Sequence, residues 1–161
     1  MLAPMWVDQR GSEVLPRAEC LRLLAVAAGA GAVGRIAVVT DPEAAPLLRP
    51  VNFGFHDGYV LLRLGYGSLA AHVGDRLVAF EVDGIEGEPG PPDRRAFGWS
   101  VLVGGLAVRV QEDTLAAAAS HHLPGPLVPM PGEQLYTVRP DLVSGRRFPV
   151  HDADASPVVR H

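Results

Sequence analysis

The residues best able to do chemistry stand between positions 63 and 69. Arg63 is followed by Leu64, a glycine-bracketed Gly65-Tyr66-Gly67, Ser68 and Leu69. An arginine ending a strand, a flexible turn and a serine opening a helix together make an anion site. The guanidinium can hold a phosphate bidentately while backbone N–H groups at the helix start point at it. Taken alone, the same residues also read as a solvated charge and an ordinary glycine turn. Other chemistry is thinly represented. There is no Walker motif, no strand-linked GxGxxG and no G-x-S-x-G elbow. Six histidines are scattered, and His121-His122 is their only cluster. Neighbouring side chains on an extended loop point apart, so no metal site is expected there. The acidic residues fall mainly in loop-like stretches, no carboxylate pair stands out, and no catalytic residue is assigned. Cys20, the sole cysteine, reads as a small buried hydrophobe on a helix.

Positioning Arg63 and its neighbours falls to a chain of mostly short extended segments. Residues 1–14 read as a loose N-terminal arm. Pro16 suits the first turn of a helix, in which Leu21, Leu24, Ala25 and Ala28 follow helical spacing and which residues 29–31 stop. Residues 33–40 read as a strand and 41–46 as a turn-rich connection. Segments 50–56 and 59–64 form the clearest hairpin, because Asp57-Gly58 tolerates the positive φ of a two-residue type I′ turn. Residues 68–73 follow as a short helix with Ser68 as its cap. Residues 76–83 make another strand and 84–94 a solvent loop. A long strand over 99–110 contains Gly104-Gly105, read as a bulge or a barrel-corner bend. A short helix is expected over 113–119 and a proline-rich loop over 121–132. Extended segments 135–138 and 144–150 follow, then a mobile tail over 151–161. About six mostly antiparallel strands with short helices favour a closed barrel, which leaves no exposed edge.

Composition narrows the function classes. The 161 residues suit one domain, read as residues 15–150, and 48% are hydrophobic against 20% charged, an ordinary globular balance. A net charge of −4 gives no nucleic-acid footprint. No apolar run approaches the ~20 residues of a membrane helix, and the N-terminus lacks a signal-peptide pattern. A lone cysteine rules out an internal disulfide and points to the cytoplasm. All fourteen basic residues are arginine. Without lysine there is no Schiff base, so a pyridoxal-phosphate enzyme of the usual kind is excluded.

Several segments, in order and spacing, resemble the flavin-binding split barrels related to pyridoxamine 5′-phosphate oxidase: Cys20-Leu-Arg-Leu-Leu, Gly34-Arg-Ile-Ala-Val-Val, Pro50-Val-Asn-Phe, Arg63 with Gly67-Ser68, Phe80-Glu-Val-Asp83, Gly98-Trp-Ser-Val-Leu-Val-Gly104 and Ser144-Gly-Arg-Arg147. The resemblance spans about residues 15–148. It implies a six-stranded split barrel that forms a homodimer, with two FMN sites at the subunit interface. By that resemblance, the backbone of Pro50, Val51, Asn52 and Phe53 lies along the isoalloxazine ring. Arg63, Gly67 and Ser68 hold the phosphate, and Trp99 and Ser100 approach from the partner. Many such FMN binders carry lysine directly after the serine, whereas this chain has Leu69. That departure leaves open weak FMN binding, a deazaflavin coenzyme, or a non-catalytic flavin- or haem-binding module with a lapsed site. A small-molecule oxidoreductase of unspecified substrate is the leading expectation.

Overall fold

The computed structural model describes residues 12–87, 96–111, 121–123 and 132–150. Its elements are β1 (Glu13–Val14), α1 (Arg17–Gly29), β2 (Val33–Val38), β3 (Leu47–His56), β4 (Tyr59–Leu64), α2 (Ser68–Val73), β5 (Arg76–Glu86), β6 (Ala96–Arg109), β7 (Gln134–Val138) and β8 (Leu142–Val150). All pairings are antiparallel, in the order β1-β8-β6-β5-β2-β3-β4-β7, and β6 also pairs with β7. Six strands, β2 to β7, therefore close on themselves as a barrel. β8 and β1 extend the sheet beyond β6. The six-strand expectation holds for the barrel, and the two additional strands account for the rest.

Closure depends on β6 changing partners. It pairs with β5 along its length from Phe97 to Ala107. On its other edge it pairs with β8 as far as Gly104↔Leu142, then with β7 from Ala107↔Val138. The expected bulge at Gly104-Gly105 is absent from the β5–β6 ladder, which runs unbroken through both glycines. The pair instead marks the fork where two strands share one edge. A Cβ on buried Gly105 would land on the carbonyl oxygen of Arg139, in the connection from β7 to β8. At Gly104 the nearest atoms to a Cβ would be those of the Leu142 side chain, from 3.4 Å outward, an ordinary contact.

The hairpin expectation is met. Asp57 (φ 49°) and Gly58 (φ 80°) are both left-handed, as a type I′ turn requires. Inside the barrel, alternate residues of each strand form one core. Phe53 and Phe80 meet edge-to-face at its centre with ring centroids 4.9 Å apart. Helix α1 packs on the barrel through Cys20, Leu23, Leu24 and Ala27, an i, i+3, i+4, i+7 stripe. This stripe is rotated from the expected one: Ala25 is exposed, and Leu21 and Ala28 are half-buried. The helix ends in a Schellman motif. Gly31 (φ 70°) follows the cap, Ala32 N–H donates to the Ala27 carbonyl (2.9 Å), and Gly31 N–H donates to the Ala28 carbonyl (3.0 Å).

Several boundaries differ from expectation. The last two residues of the N-terminal arm form β1, because Glu13 and Val14 find partners in Arg147 and Arg146. β5 continues through Gly84, Ile85 and Glu86, which pair with Trp99, Gly98 and Phe97, so the loop expected from residue 84 begins later. The cap position of α2 is Gly67 rather than Ser68, which is the first helical residue. The helix expected over 113–119, most of the 121–132 loop and the tail over 151–161 lie outside the described residues.

A charge cluster ties α1 to the sheet. Arg147 of β8 donates to Glu19 Oε1 (2.6 Å) and Glu86 Oε2 (3.1 Å), and Arg22 bridges the same two carboxylates (2.8 and 2.9 Å). The hydrogen bond from Arg22, reinforced by Arg147 and opposed by partial burial, holds the Glu19 carboxyl at about 2, below its ordinary 4.5.

Two outcomes follow. Gly105→Ala is expected to cost about 2 kcal/mol or more through the clash with backbone at the fork, a fall in Tm of about 4–8 °C, while Gly104→Ala stays near the parent. Calorimetry of the two variants checks this, and equal Tm values would contradict the fork. Because the folded-state pKa of Glu19 is depressed, its stabilisation is fully present above pH 4.5 and is lost as pH falls toward about 2. The Tm gap between the parent and Glu19→Gln should therefore be full at neutral pH and close across that window.

Candidate functional site

A split opens where β3 and β4 part. Their ladder runs from His56↔Tyr59 to Phe53↔Leu62 and stops. Beyond it β3 continues with β2 alone, from Asn52↔Val33 to Leu47↔Val38. β4 continues with β7 alone, as Arg63↔Leu135 and Leu64↔Gln134. Among the described residues, the β4-facing edge of Leu47–Asn52 therefore has no strand beside it. Unpaired backbone N–H and C=O groups along such an edge demand partners. Pro50 stands on this stretch, where a residue without an N–H is tolerated.

Side-chain direction follows from alternation. Val51 and Phe53 point into the core, so toward the split they offer only backbone. Pro50 and half-buried Asn52 face outward. Arg63 comes one residue past core-facing Leu62 and so faces outward, as Asn52 does. Its Nε lies 3.7 Å from Glu133 Oε2, an ion pair too long for a hydrogen bond, with the Arg63 side chain 20% exposed.

After β4 the chain turns through Gly65-Tyr66-Gly67. Gly67 is extended (φ 161°), and its carbonyl accepts from Ala71 N–H (3.1 Å). The N–H groups of residues 68–70 consequently have no partner inside α2. At six residues the helix supplies local donors rather than a sizeable dipole. It is tied to β7 by the Tyr136 hydroxyl, whose single proton has two acceptors in reach, Gln134 Oε1 (2.7 Å) and the Ala70 carbonyl (3.2 Å). Leu69 is half-buried and packs against the main core. The position expected to be short of a cation is thus used for packing.

Trp99 and Ser100 stand elsewhere in the same chain. Ser100 pairs with Asp83 on one side and Arg146 on the other, and Trp99 with Gly84 and Arg147. Along the sheet, Asn52 is level with Val33, and β5 and then β6 lie beyond it. Three strand spacings separate Asn52 from Ser100, about 14 Å. The Trp99 ring is buried, and a Cβ on Gly84 would come within 2.7 Å of its Cζ2. One chain therefore unites Pro50–Phe53 with Arg63–Leu69 and keeps Trp99 and Ser100 apart from them.

Three features escaped the sequence reading. Glu133 reaches Arg63 only through the β4–β7 pairing, and no local pattern signals that. Tyr66 is 75% exposed, and its flanking glycines were the visible hint. Exposed His122 stacks on His56, with ring centroids 3.9 Å apart and planes at 14°. That stack adjoins a cleft of about 430 Å³ lined by Ala25, Ala28, Gly29, Gly31, Phe55 and residues 121–123. Among the described residues no three His, Cys, Asp or Glu side chains converge as a metal cage. Burial pushes the Cys20 thiol above its ordinary pKa, and its Sγ lies 3.8 Å from the Leu15 carbonyl, which makes it inert. Among the described residues no helix is long and apolar enough to cross a membrane.

An edge of free backbone groups facing an arginine and a donor-bearing turn can take a flat polar ring with a phosphate at one end. Known proteins share the fold. The uncharacterized protein Rv0080 of Mycobacterium tuberculosis is 34% identical over 143 residues, which is 83% of this chain and 84% of that one. An FAD binding protein from Mycobacterium smegmatis superposes with a TM-score of 0.67 at 28% identity, covering 86% of this chain and 99% of that chain. An FAD-binding protein from Mesorhizobium loti does so with 0.61 at 21% identity, covering 85% and 98%. The family model described as pyridoxamine 5′-phosphate oxidase matches residues 16–147, so the chain belongs to the pyridoxamine 5′-phosphate oxidase family.

Proposed function

We propose that this protein is a flavin-dependent oxidoreductase acting on a small molecule in the cytoplasm, with two flavin sites shared across a homodimer. The observation that carries the reading is the split itself: past the last β3–β4 pair, the edge of β3 at Pro50–Asn52 has no strand partner among the described residues, while β4 runs on through Arg63 to the Gly65–Gly67 turn. The isoalloxazine would lie along the β3 backbone. Its phosphate would accept from Arg63 and from the N–H groups at the start of α2. FMN and FAD share the ring, the ribityl chain and this first phosphate, so both fit this half of the site. The M. smegmatis relative at 28% identity is an FAD binding protein, which supports a flavin here. When bound, the flavin supplies the redox chemistry. The chain's own residues bind and orient it.

The outer face of the sheet supports the dimer. Leu48, Ala37, Ala79, Gly104 and Leu142 stand opposite one another across five strands. Leu77 and Leu142 are about three-quarters exposed, and Leu48 and Leu102 about half. An apolar surface of this continuity is unusual on a monomer. Among the apolar residues, Arg35 donates to Glu81 Oε2 (3.0 Å) and to Asp83. Pro50, Asn52, Asp83 and Ser100 face the same way, since the register pairs Pro50 with Arg35, Arg35 with Glu81 and Asp83 with Ser100. A two-fold partner seated here would bring its Ser100 toward Pro50 and Asn52 of the first copy, closing a site that one chain leaves open.

Sedimentation at micromolar concentration should show twice the chain mass. Leu102→Arg should shift the protein to monomer with its fold intact by circular dichroism. A parent sedimenting only as monomer would overturn the shared-site reading. Arg63→Ala is expected to weaken flavin binding about tenfold or more, with Tm little changed, because it removes a charged hydrogen bond to phosphate. Fluorescence titration of flavin into stripped protein measures this, and an unchanged Kd would mean that Arg63 serves only Glu133.

A further inference from the structure

We infer that the cleft between the end of α1 and residues 121–123 is a second small-molecule site, which takes a flat, uncharged compound of one or two rings bearing a hydrogen-bonding oxygen. It is separate from the split between β3 and β4 and does not depend on the flavin reading.

One wall of the cleft is anchored to the sheet at three points. Leu123 is buried with Leu61 of β4, and Leu135 of β7 packs against them. The His122 carbonyl rests on β3 at Gly54, where a Cβ would lie 2.3 Å from the carbonyl oxygen. Gly54 is not left-handed, so the close approach alone excludes a side chain there. The His122 ring stacks on His56, whose Nε2 lies 3.5 Å from Asp57 Oδ2. The opposite wall is smooth: Ala25, Ala28, Gly29 and Gly31 line it, and none has an atom beyond Cβ. Phe55 and His122 add aromatic rings to the lining. A slot of about 430 Å³ with one bare wall and aromatic rings in the other admits a flat molecule.

Charge decides the rest. No Asp, Glu or Arg lines the cleft among the described residues. The end of α1 asks for no cation either, because the Val26, Ala27 and Ala28 carbonyls already accept from the N–H groups of Ala30, Ala32 and Gly31. An ion entering here would give up water without gaining an opposite charge, a cost that a neutral ring escapes. A neutral imidazole carries one donor and one acceptor. His121 and His122, both in the lining, can therefore bond a hydroxyl or a carbonyl on the rim of the ring.

The test is calorimetric titration of 2-naphthol and of naphthalene-2-sulfonate, one ring frame without and with a charge, into the full chain at about pH 8, where histidine is ordinarily neutral. 2-Naphthol should bind with a Kd below about 1 mM, and the sulfonate about tenfold more weakly or not at all. Ala25 is an exposed helix residue, and leucine is also a good helix former. Ala25→Leu should therefore fold as the parent does by circular dichroism, fill the slot, weaken 2-naphthol about tenfold and leave flavin affinity within about twofold. His122→Ala should weaken 2-naphthol about threefold or more by removing a ring and a hydrogen-bonding partner. No binding of 2-naphthol to the folded parent, equal binding of the sulfonate, or a folded Ala25→Leu variant with unchanged 2-naphthol affinity would each overturn the inference. The flavin titration reads the other site, so each of these results leaves the flavin reading as it stands.

Discussion

The structure depends on one strand having more neighbours than an edge can ordinarily hold. β6 is 14 residues long, enough to serve β8 over its first part and β7 over its last while remaining paired to β5. Without that changeover the sheet would stay open, and the far edge of β7 would seek another chain. Only a glycine lets the backbone of Arg139 pass so close at the fork. Closing the ring in turn forces β3 and β4 to diverge. A barrel with six strands of unequal length cannot keep every edge paired, and the mismatch appears where β3 goes on with β2 and β4 with β7. The opening proposed to take the flavin is the geometric remainder of closing the barrel.

Electrostatics follow the same division of labour. Ion pairs are concentrated where α1 meets β5 and β8, around Arg147, and on the outer face around Arg35. Among the described residues the split carries few charges, Arg63 with Glu133 and, further along β3, Arg49. A site built mainly from backbone groups binds by shape and hydrogen bonding, and that suits a neutral ring better than an ionic substrate. It also explains why no residue there announces itself as an acid or base.

Much of this was legible in the sequence because the signals were local. Asp57-Gly58 sets its hairpin by conformational preference alone. Pro16 and Gly31 bracket α1, and the anion-type constellation around Arg63 can be read as a string. What was not legible required neighbours distant in sequence. Gly104-Gly105 looked like a bulge, since nothing local reveals that Arg139 will cross beside it. Residues 84–86 looked like loop because they open a stretch, 84–94, rich in glycine, proline and charge, yet β6 offers them partners. The stripe of α1 was misjudged by one residue because an alanine-rich helix has little contrast between faces, and packing against β3 and β8 decided which alanines to bury. Glu133 became part of the site only through strand pairing.

Cys20 carries a last consequence. Its sulfur sits under Gly145, where any side chain would collide with it, and beside Leu15. The thiol is solvent-free, and the chain has no other. A thiol reagent can therefore reach it only after α1 lifts from β8. The rate at which the native protein consumes such a reagent is a clock for that opening, running on a single hand, with no neighbouring cysteine to confuse the reading.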